Sequence, residues 1–354
     1  MSDFTLRQAV EYFIQKHGLP ALFDEGSNVA RPFTLYWSSL ENYETCPRKF
    51  LWSRGWGEID VGGGPGRRKP IPEELKTSRH HSLMGNVIQG VIEDLYNKQW
   101  LLTYKGQDLI DLLKQETDQR FEKEIADEFI IHGPAFNEAP PASELLAICH
   151  SGVQGFVRTL KHHRLWSPES RCEVNLLGYV DDNSPVAGRA DFLVLRSESE
   201  SINPGVTFLD GKNSMNPGKY TNPDQLRWYA LCYYLMHRKL PERLGFVYFR
   251  FPAGSSEHLD KLDNGVNWVD LSMNHIVDLA NRAKAAYKGM RAESFDPTPV
   301  PKVCNLCDFQ EMCDARQAQL AENRKKRGIY PPNKELVAEI KKTAEENTGG
   351  FFDL

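Results

Sequence analysis

The chain has 354 residues, of which 40% are hydrophobic and 26% charged, an ordinary balance for a soluble globular protein with room for a sizeable core. No run of about 18 uncharged apolar residues occurs, which excludes a conventional membrane-spanning helix. The net charge of −5 excludes a global pull on nucleic acid but leaves room for a local basic groove or for bound cations.

The first 18 residues, MSDFTLRQAVEYFIQKHG, read as an amphipathic helix. They lack a basic segment followed by an apolar run, so they do not read as a secretory signal. The expectation is a cytoplasmic protein (in the host cytoplasm if phage-encoded) whose thiols stay reduced. Residues 38–54 predict a second helix, with Ser38 as N-cap and Leu40, Tyr43, Phe50 and Leu51 at helical spacing. Residues 60–72 are rich in Gly, Pro and basic residues and predict a loop. A helix follows over 80–100, with an apolar stripe of Leu83, Val87, Ile88, Val91, Ile92 and Leu95. Residues 107–165 read as mostly helical, broken near Gly133-Pro134 and Pro140-Pro141.

The pattern then turns to β. Runs at 171–180, 186–196 and 206–212 are separated by turn residues. A helix over 223–238, a strand over 244–251, a short strand over 266–271 and a helix over 272–291 complete the series. This order predicts an α/β core with a mixed sheet inside a helical shell. From 315 onward the chain is charged and helical, and it ends in NTGGFFDL. That end reads as a frayed tail, or as a docking peptide for a replication protein.

Of seven cysteines, Cys304, Cys307 and Cys313 form a C-x2-C-x5-C cluster, one short of the usual four ligands. Cys149, Cys172 and Cys232 lie in helix or strand patterns and read as buried thiols. Cys46 sits apart, in the polar segment TCPRKF. Zinc and an iron–sulfur cluster both accept four thiolates, so spacing alone leaves the metal open.

Two segments, GRADFLVLR and TFLDGKN, each place an acid at or near the end of an apolar run. If Asp210 and Lys212 lie on a strand, they share a face. Asp191 and Asp210 could then hold a hard cation through oxygen, with the Gly211 carbonyl as a further ligand and Lys212 beside it to stabilise charge on a phosphate. The competing reading of Asp210-Gly211 is a β-turn, which Asp-Gly favours. Two helical patterns add weight to a site. Gln225 and Tyr229 are i and i+4 in DQLRWYALCYYL, and Gly85, Gln89 and Glu93 recur every four residues in GNVIQGVIEDLY.

In order, the segments WSSLENYETCPRKF, GNVIQGVIEDLY, GRADFLVL, FLDGKNS, DQLRWYALCYYL and VCNLCDFQEMC resemble the RecB-like branch of PD-(D/E)XK nucleases. The resemblance is to its iron–sulfur members, such as CRISPR-associated RecB-like exonucleases and AddAB-type nuclease domains, and it spans roughly residues 36–316. It implies a restriction-endonuclease-like core and a [4Fe-4S] cluster held by Cys46, Cys304, Cys307 and Cys313. It also implies a Mg2+ or Mn2+ site at Asp191 and Asp210, with Lys212, Gln225 and Tyr229 in the catalytic set. The family commonly has a metal-binding histidine where this chain has Gln89, so Glu93, Gln89, His81 or His80 is expected to complete the shell. The implied organisation is an N-terminal helical extension over 1–35, a nuclease domain over 36–316 with a helical insert at about 101–170, and a charged tail over 317–354. The implied activity is DNA cleavage, exonucleolytic on single strands or free ends, in recombination, repair or phage-like DNA processing. A non-catalytic DNA-binding or scaffold protein is the alternative. With no G-x-x-x-x-G-K-[ST] loop in the chain, any unwinding falls to a helicase partner.

Overall fold

The structure, a computed structural model, describes residues 12, 14–19, 22–23, 30–54, 80–127, 140–196, 205–214, 221–254, 262–305, 307, 309 and 312–326. The expected loop over 60–72, the breaks near 133–134 and the tail beyond 326 lie outside these residues, as does most of the expected first helix.

A two-stranded ribbon, β1 (Leu22–Phe23) with β2 (Ala30–Arg31), precedes the core. Next come the short strand β3 (Leu35–Tyr36) and two helices, α1 (Trp37–Thr45) and α2 (Pro47–Ser53). The expected single helix over 38–54 is therefore divided. Cys46 stands at the break with extended backbone, φ −161° and ψ 104°. The reason is local: proline disfavours helical geometry in the residue before it, and Pro47 then opens the next helix at its first position. The N-cap position is Tyr36, not Ser38, because β3 runs directly into α1.

Three longer helices follow: α3 (His80–Asn97), α5 (Gly106–Asp127) and α6 (Ala142–His163), with the one-turn α4 (Trp100–Thr103) between the first two. Then come β4 (Arg171–Tyr179), β5 (Pro185–Arg196), β6 (Gly205–Lys212), α7 (Pro223–His237), β7 (Arg243–Tyr248), β8 (Val266–Val269) and α8 (Met273–Arg291). The short α9 (Pro301–Cys304) and then α10 (Asp314–Lys326) end the described chain. The expected strand over 244–251 stops at Tyr248, where the chain turns.

The strands form one mixed sheet in the order β3-β5-β6-β7-β8, with β4 on the other edge of β5. β6 and β7 are parallel and joined by α7; β3 is parallel to β5, and the remaining pairs are antiparallel. Helices cover both faces. Leu226, Trp228 and Leu231 of α7 pack with Ile276, Leu279 and Ala283 of α8 on one side. On the other, Leu83, Val87 and Val91 of α3 pack with Leu113 and Phe121 of α5 and Phe156 of α6. The architecture is thus a three-layer α/β/α fold, the α/β class that the alternating patterns predict.

One edge of β5 is shared. β3 pairs with Val186 and Ala187, and β6 pairs from Phe192 onward. Residues 188–191 fall between, with no strand partner on that edge, and this gap is where the candidate site forms. Tyr287 of α8 secures the β3 side. Its buried hydroxyl accepts the Leu35 N–H at 3.2 Å and faces the carbonyls of Phe33 at 3.1 Å and Pro185 at 2.5 Å. Tyr287→Phe strands these buried groups and should cost about 1–3 kcal/mol in chemical denaturation.

Candidate active site and cysteine cavity

The site forms where two strands change face. Ala190 packs in the α7-side core, yet Phe192, two residues on, packs in the α3-side core. Val174 and Cys172 on β4 do the same. Regular alternation would keep each pair on one face, so both strands kink at the residue between, Glu173 on β4 and Asp191 on β5. The ladder runs Cys172↔Phe192 and Val174↔Ala190 and omits the pair between them. Glu173 carries a φ of +51°, uncommon for a non-glycine residue inside a strand.

On its other side Asp191 is level with Asp210, one step beyond the last β5–β6 pair, Phe192↔Leu209. Asp210-Gly211-Lys212 is not a turn. It is strand, paired with Phe246, Val247 and Tyr248 of β7. The Gly211 N–H donates to Asp191 Oδ2 at 2.9 Å, so the Gly211 carbonyl, on the same edge of the strand, also faces β5 rather than β7. A Cβ at 211 would meet the Phe249 ring at 2.5 Å and Gln89 Oε1 at 3.2 Å, so any larger residue between the acid and the lysine would have to displace Phe249.

Lys212 lies in an ion pair with Asp210, a carboxylate only 2% exposed. Gln225 of α7 donates to Asp210 Oδ2 at 2.6 Å, lies 3.1 Å from the Tyr229 hydroxyl and sits 3.5 Å from Lys212 Nζ. Pro223 at the first helical position and the Asn222 cap, which accepts from the Asp224 N–H at 3.1 Å, fix the start of that helix. Gly188 lets it approach, since a Cβ there would meet the Tyr229 ring at 2.8 Å.

From the opposite layer α3 contributes Gln89, whose Nε2 donates to Glu173 Oε1 at 3.4 Å. Glu93, one turn on, is raised above the ordinary carboxylate range by burial and by the charge of Glu173. The side chains of His80 and His81 fall outside the described residues. Glu173 is the acid that the sequence reading passed over. Its signal was faint: a lone Glu in RCEVNLLGY, visible only once that strand is laid against GRADF.

Burial raises Asp191 to about 7, reinforced by the charge on Asp210 and opposed by the Gly211 N–H and Lys212. Asp210 is also raised, by burial, against the pull of Lys212. Two buried carboxylates that resist ionisation together and a carbonyl edge are oxygen donors suited to a hard divalent cation, and the neighbouring ammonium is a fixed positive charge beside them.

The four cysteines named from the sequence line one pocket, with Trp52, Pro297, Pro299 and Val303 as its apolar wall and Arg48, Lys49 and Arg316 as its cations. The charges of Cys46 and Cys304 both act on the Cys307 thiol, which burial raises. Among the described residues no three of these sulfurs lie within 4.8 Å of one another. Arg316 is 6% exposed and its Nε–H meets no acceptor among the described residues. Cys149, Cys172 and Cys232 are all raised by burial, as expected of inert thiols.

The raised Asp191 sets a pH dependence. Unfolded, an Asp ionises near 3.9. Folded, it keeps its proton to about 7. Between those values the folded state binds more protons, so the stability of metal-free protein falls as pH rises and levels off above about 7. In EDTA at pH 8, Asp191→Asn should be more stable than the wild type in chemical denaturation by on the order of 4 kcal/mol, with the gap closing below about pH 4. Mn2+ should raise the melting temperature of the wild type and not of the variant.

With these features in place, comparison with known proteins is informative. The family model "PD-(D/E)XK nuclease superfamily" matches residues 36–314. No curated protein matches the chain. A solved structure described as SSO0001 is similar at 16% identity over 86% of this chain and 96% of that one, with a TM-score of 0.33. The family match spans Asp191, Asp210, Lys212, Gln225 and Tyr229 and all four cysteines of the pocket, and the chain belongs to the PD-(D/E)XK nuclease superfamily.

Proposed function

We propose that this protein is a metal-dependent deoxyribonuclease, an exonuclease acting on single-stranded DNA or DNA ends. The observation that carries the reading is the convergence of Asp191, Asp210, Lys212, Gln225 and Tyr229 at the gap between β3 and β6. Asp191, Asp210 and the Gly211 carbonyl would hold Mg2+ or Mn2+. Bound there, the cation would polarise the phosphate and lower the pKa of the attacking water.

The chain's own residues do the rest. Lys212, partly exposed beside Gln225 of α7, would present an ammonium to the charge that develops on the phosphate. Gln225 reaches Asp210 and Lys212 at once and fixes their relative position. Tyr229, raised by burial, stays a neutral hydroxyl and a hydrogen-bonding partner for Gln225. No described helix is long and apolar enough to cross a membrane. A helicase or replication-protein partner would supply the unwound strand.

We further propose that Cys46, Cys304, Cys307 and Cys313 hold a [4Fe-4S] cluster. The cationic wall supports an anionic occupant, since buried Arg316 has no carboxylate partner among the described residues. The cluster would tie α2 to the C-terminal segment as a staple across 258 positions of chain.

End-labelled single- and double-stranded DNA should shorten progressively with Mg2+ or Mn2+, and Asp210→Ala and Lys212→Ala should each lose at least about 100-fold in rate. DNA binding without cleavage in the wild type would instead identify a non-catalytic DNA-binding protein. Anaerobically purified protein should be brown with about four irons per chain. Cys313→Ser should lose the colour and melt lower; an unchanged melting temperature overturns the staple.

A further inference from the structure

We infer that Glu173 is a third carboxylate of the divalent-cation site, and that Gln89 is the positioning residue that aims it. The inference rests on the reading of Asp191 and Asp210 as metal ligands, and it goes beyond that reading in naming a residue and its support.

Glu173, Asp191 and Asp210 occupy one row across β4, β5 and β6. Glu173 stands opposite Asp191 at the step left out of the β4–β5 ladder, and Asp210 stands opposite Asp191 one step beyond the β5–β6 ladder. Their carboxylate oxygens do not all lie within 4.8 Å of one another, so Glu173 would swing from Arg189 to share a cation with the other two. Three acids in such a row repel one another, and the outer two already have cations. Lys212 pairs with Asp210, and Arg189 Nε lies 2.6 Å from Glu173 Oε2. Asp191, in the middle, has the Gly211 N–H and feels the charge of Lys212, but makes no ion pair of its own among the described residues. The position without its own ion pair is therefore the one flanked by two further carboxylates.

The contacts of Glu173 suit a ligand that can be released. Arg189 is 68% exposed, so that pair is screened and gives way readily. Gln89 comes from the facing layer and donates one N–H to Oε1. It is neutral, so it can orient the carboxylate without adding a charge that would compete with a cation. The same side chain closes the space over Gly211, which places it between Glu173 and the carbonyl edge of β6.

The test is Mn2+ binding by calorimetry and by the EPR signal of free Mn2+, on full-length protein without DNA, with melting temperature in EDTA as the folding control. Glu173→Gln should bind Mn2+ about 10-fold or more weaker, while melting in EDTA no lower than wild type because a repulsion is removed. Gln89→Met should weaken binding by a smaller factor, at least about 3-fold, at unchanged melting temperature. Arg189→Gln should bind Mn2+ as tightly as wild type or tighter. If Glu173 is only the structural partner of Arg189, Glu173→Gln and Arg189→Gln will lower the melting temperature alike and leave Mn2+ affinity unchanged, which overturns the inference. If wild type binds Mn2+ no better than Asp191→Asn, the underlying metal-site reading fails instead. If Glu173→Gln lowers the EDTA melting temperature, Glu173→Asp, which keeps the charge and shortens the reach, serves as the second variant. Wild-type affinity there overturns the inference.

Discussion

Like-charge repulsion in a dry place is the constraint around which this fold is arranged. Two carboxylates about 5 Å apart at an effective dielectric near 20 repel by about 3 kcal/mol. Asp191 and Asp210 are both raised, with burial the first cause. The protein tolerates the arrangement by surrounding it with donors: the Gly211 N–H on Asp191, and Gln225 and Lys212 on Asp210. Each donor comes from an element fixed elsewhere, β6 by its ladder to β7 and α7 by its cap and its packing against α8. The strain is local, while its support is spread over three layers.

The sheet accommodates the site by failing to be regular. β5 is the hub, with β4 along one edge and β3 and β6 dividing the other. A continuous partner on that edge would bond the backbone of residues 188–191 and leave no room for α7 to reach them. The change of face at Glu173 and Asp191 leaves these side chains in neither core. Strained backbone in the middle of a strand is costly, and it persists here because well-ordered pairs on either side dictate it.

The cysteine cavity is built on the same logic of distant segments made to meet. Cys46 is available because Pro47 breaks a helix at that point, and Cys304 ends the short helix that follows the turn after α8. Arg48, next to that break, bonds the Phe295 carbonyl at 3.4 Å and pairs with Asp314 at 2.9 Å. Protein contacts therefore already hold the N-terminal helices against the C-terminal segment. A centre bound by the four thiols would reinforce that junction rather than create it.

Much of the architecture was legible in the residues. β-type runs marked β4 to β6, helical periodicity marked α3 and α7, and the Cys-x2-Cys-x5-Cys spacing marked one side of the cavity. These signals are local, and local chemistry determines them: alternation, 3.6-residue stripes, proline beside a cap. Asp210-Gly211-Lys212 shows the limit, because the same tripeptide suits a turn as well as a strand, and only the pairing with β7 decided between them. Glu173 was invisible for the same reason. Nothing in RCEVNLLGY distinguishes its acid from a surface one until β4 lies against β5 and both strands kink. The meeting of Cys46 with three thiols some 258 positions away was likewise decided by tertiary packing. Sequence supplied the donor chemistry; the register of three strands, and which helix covers which face, decided which donors share a site, because those relations depend on contacts between residues far apart in the chain.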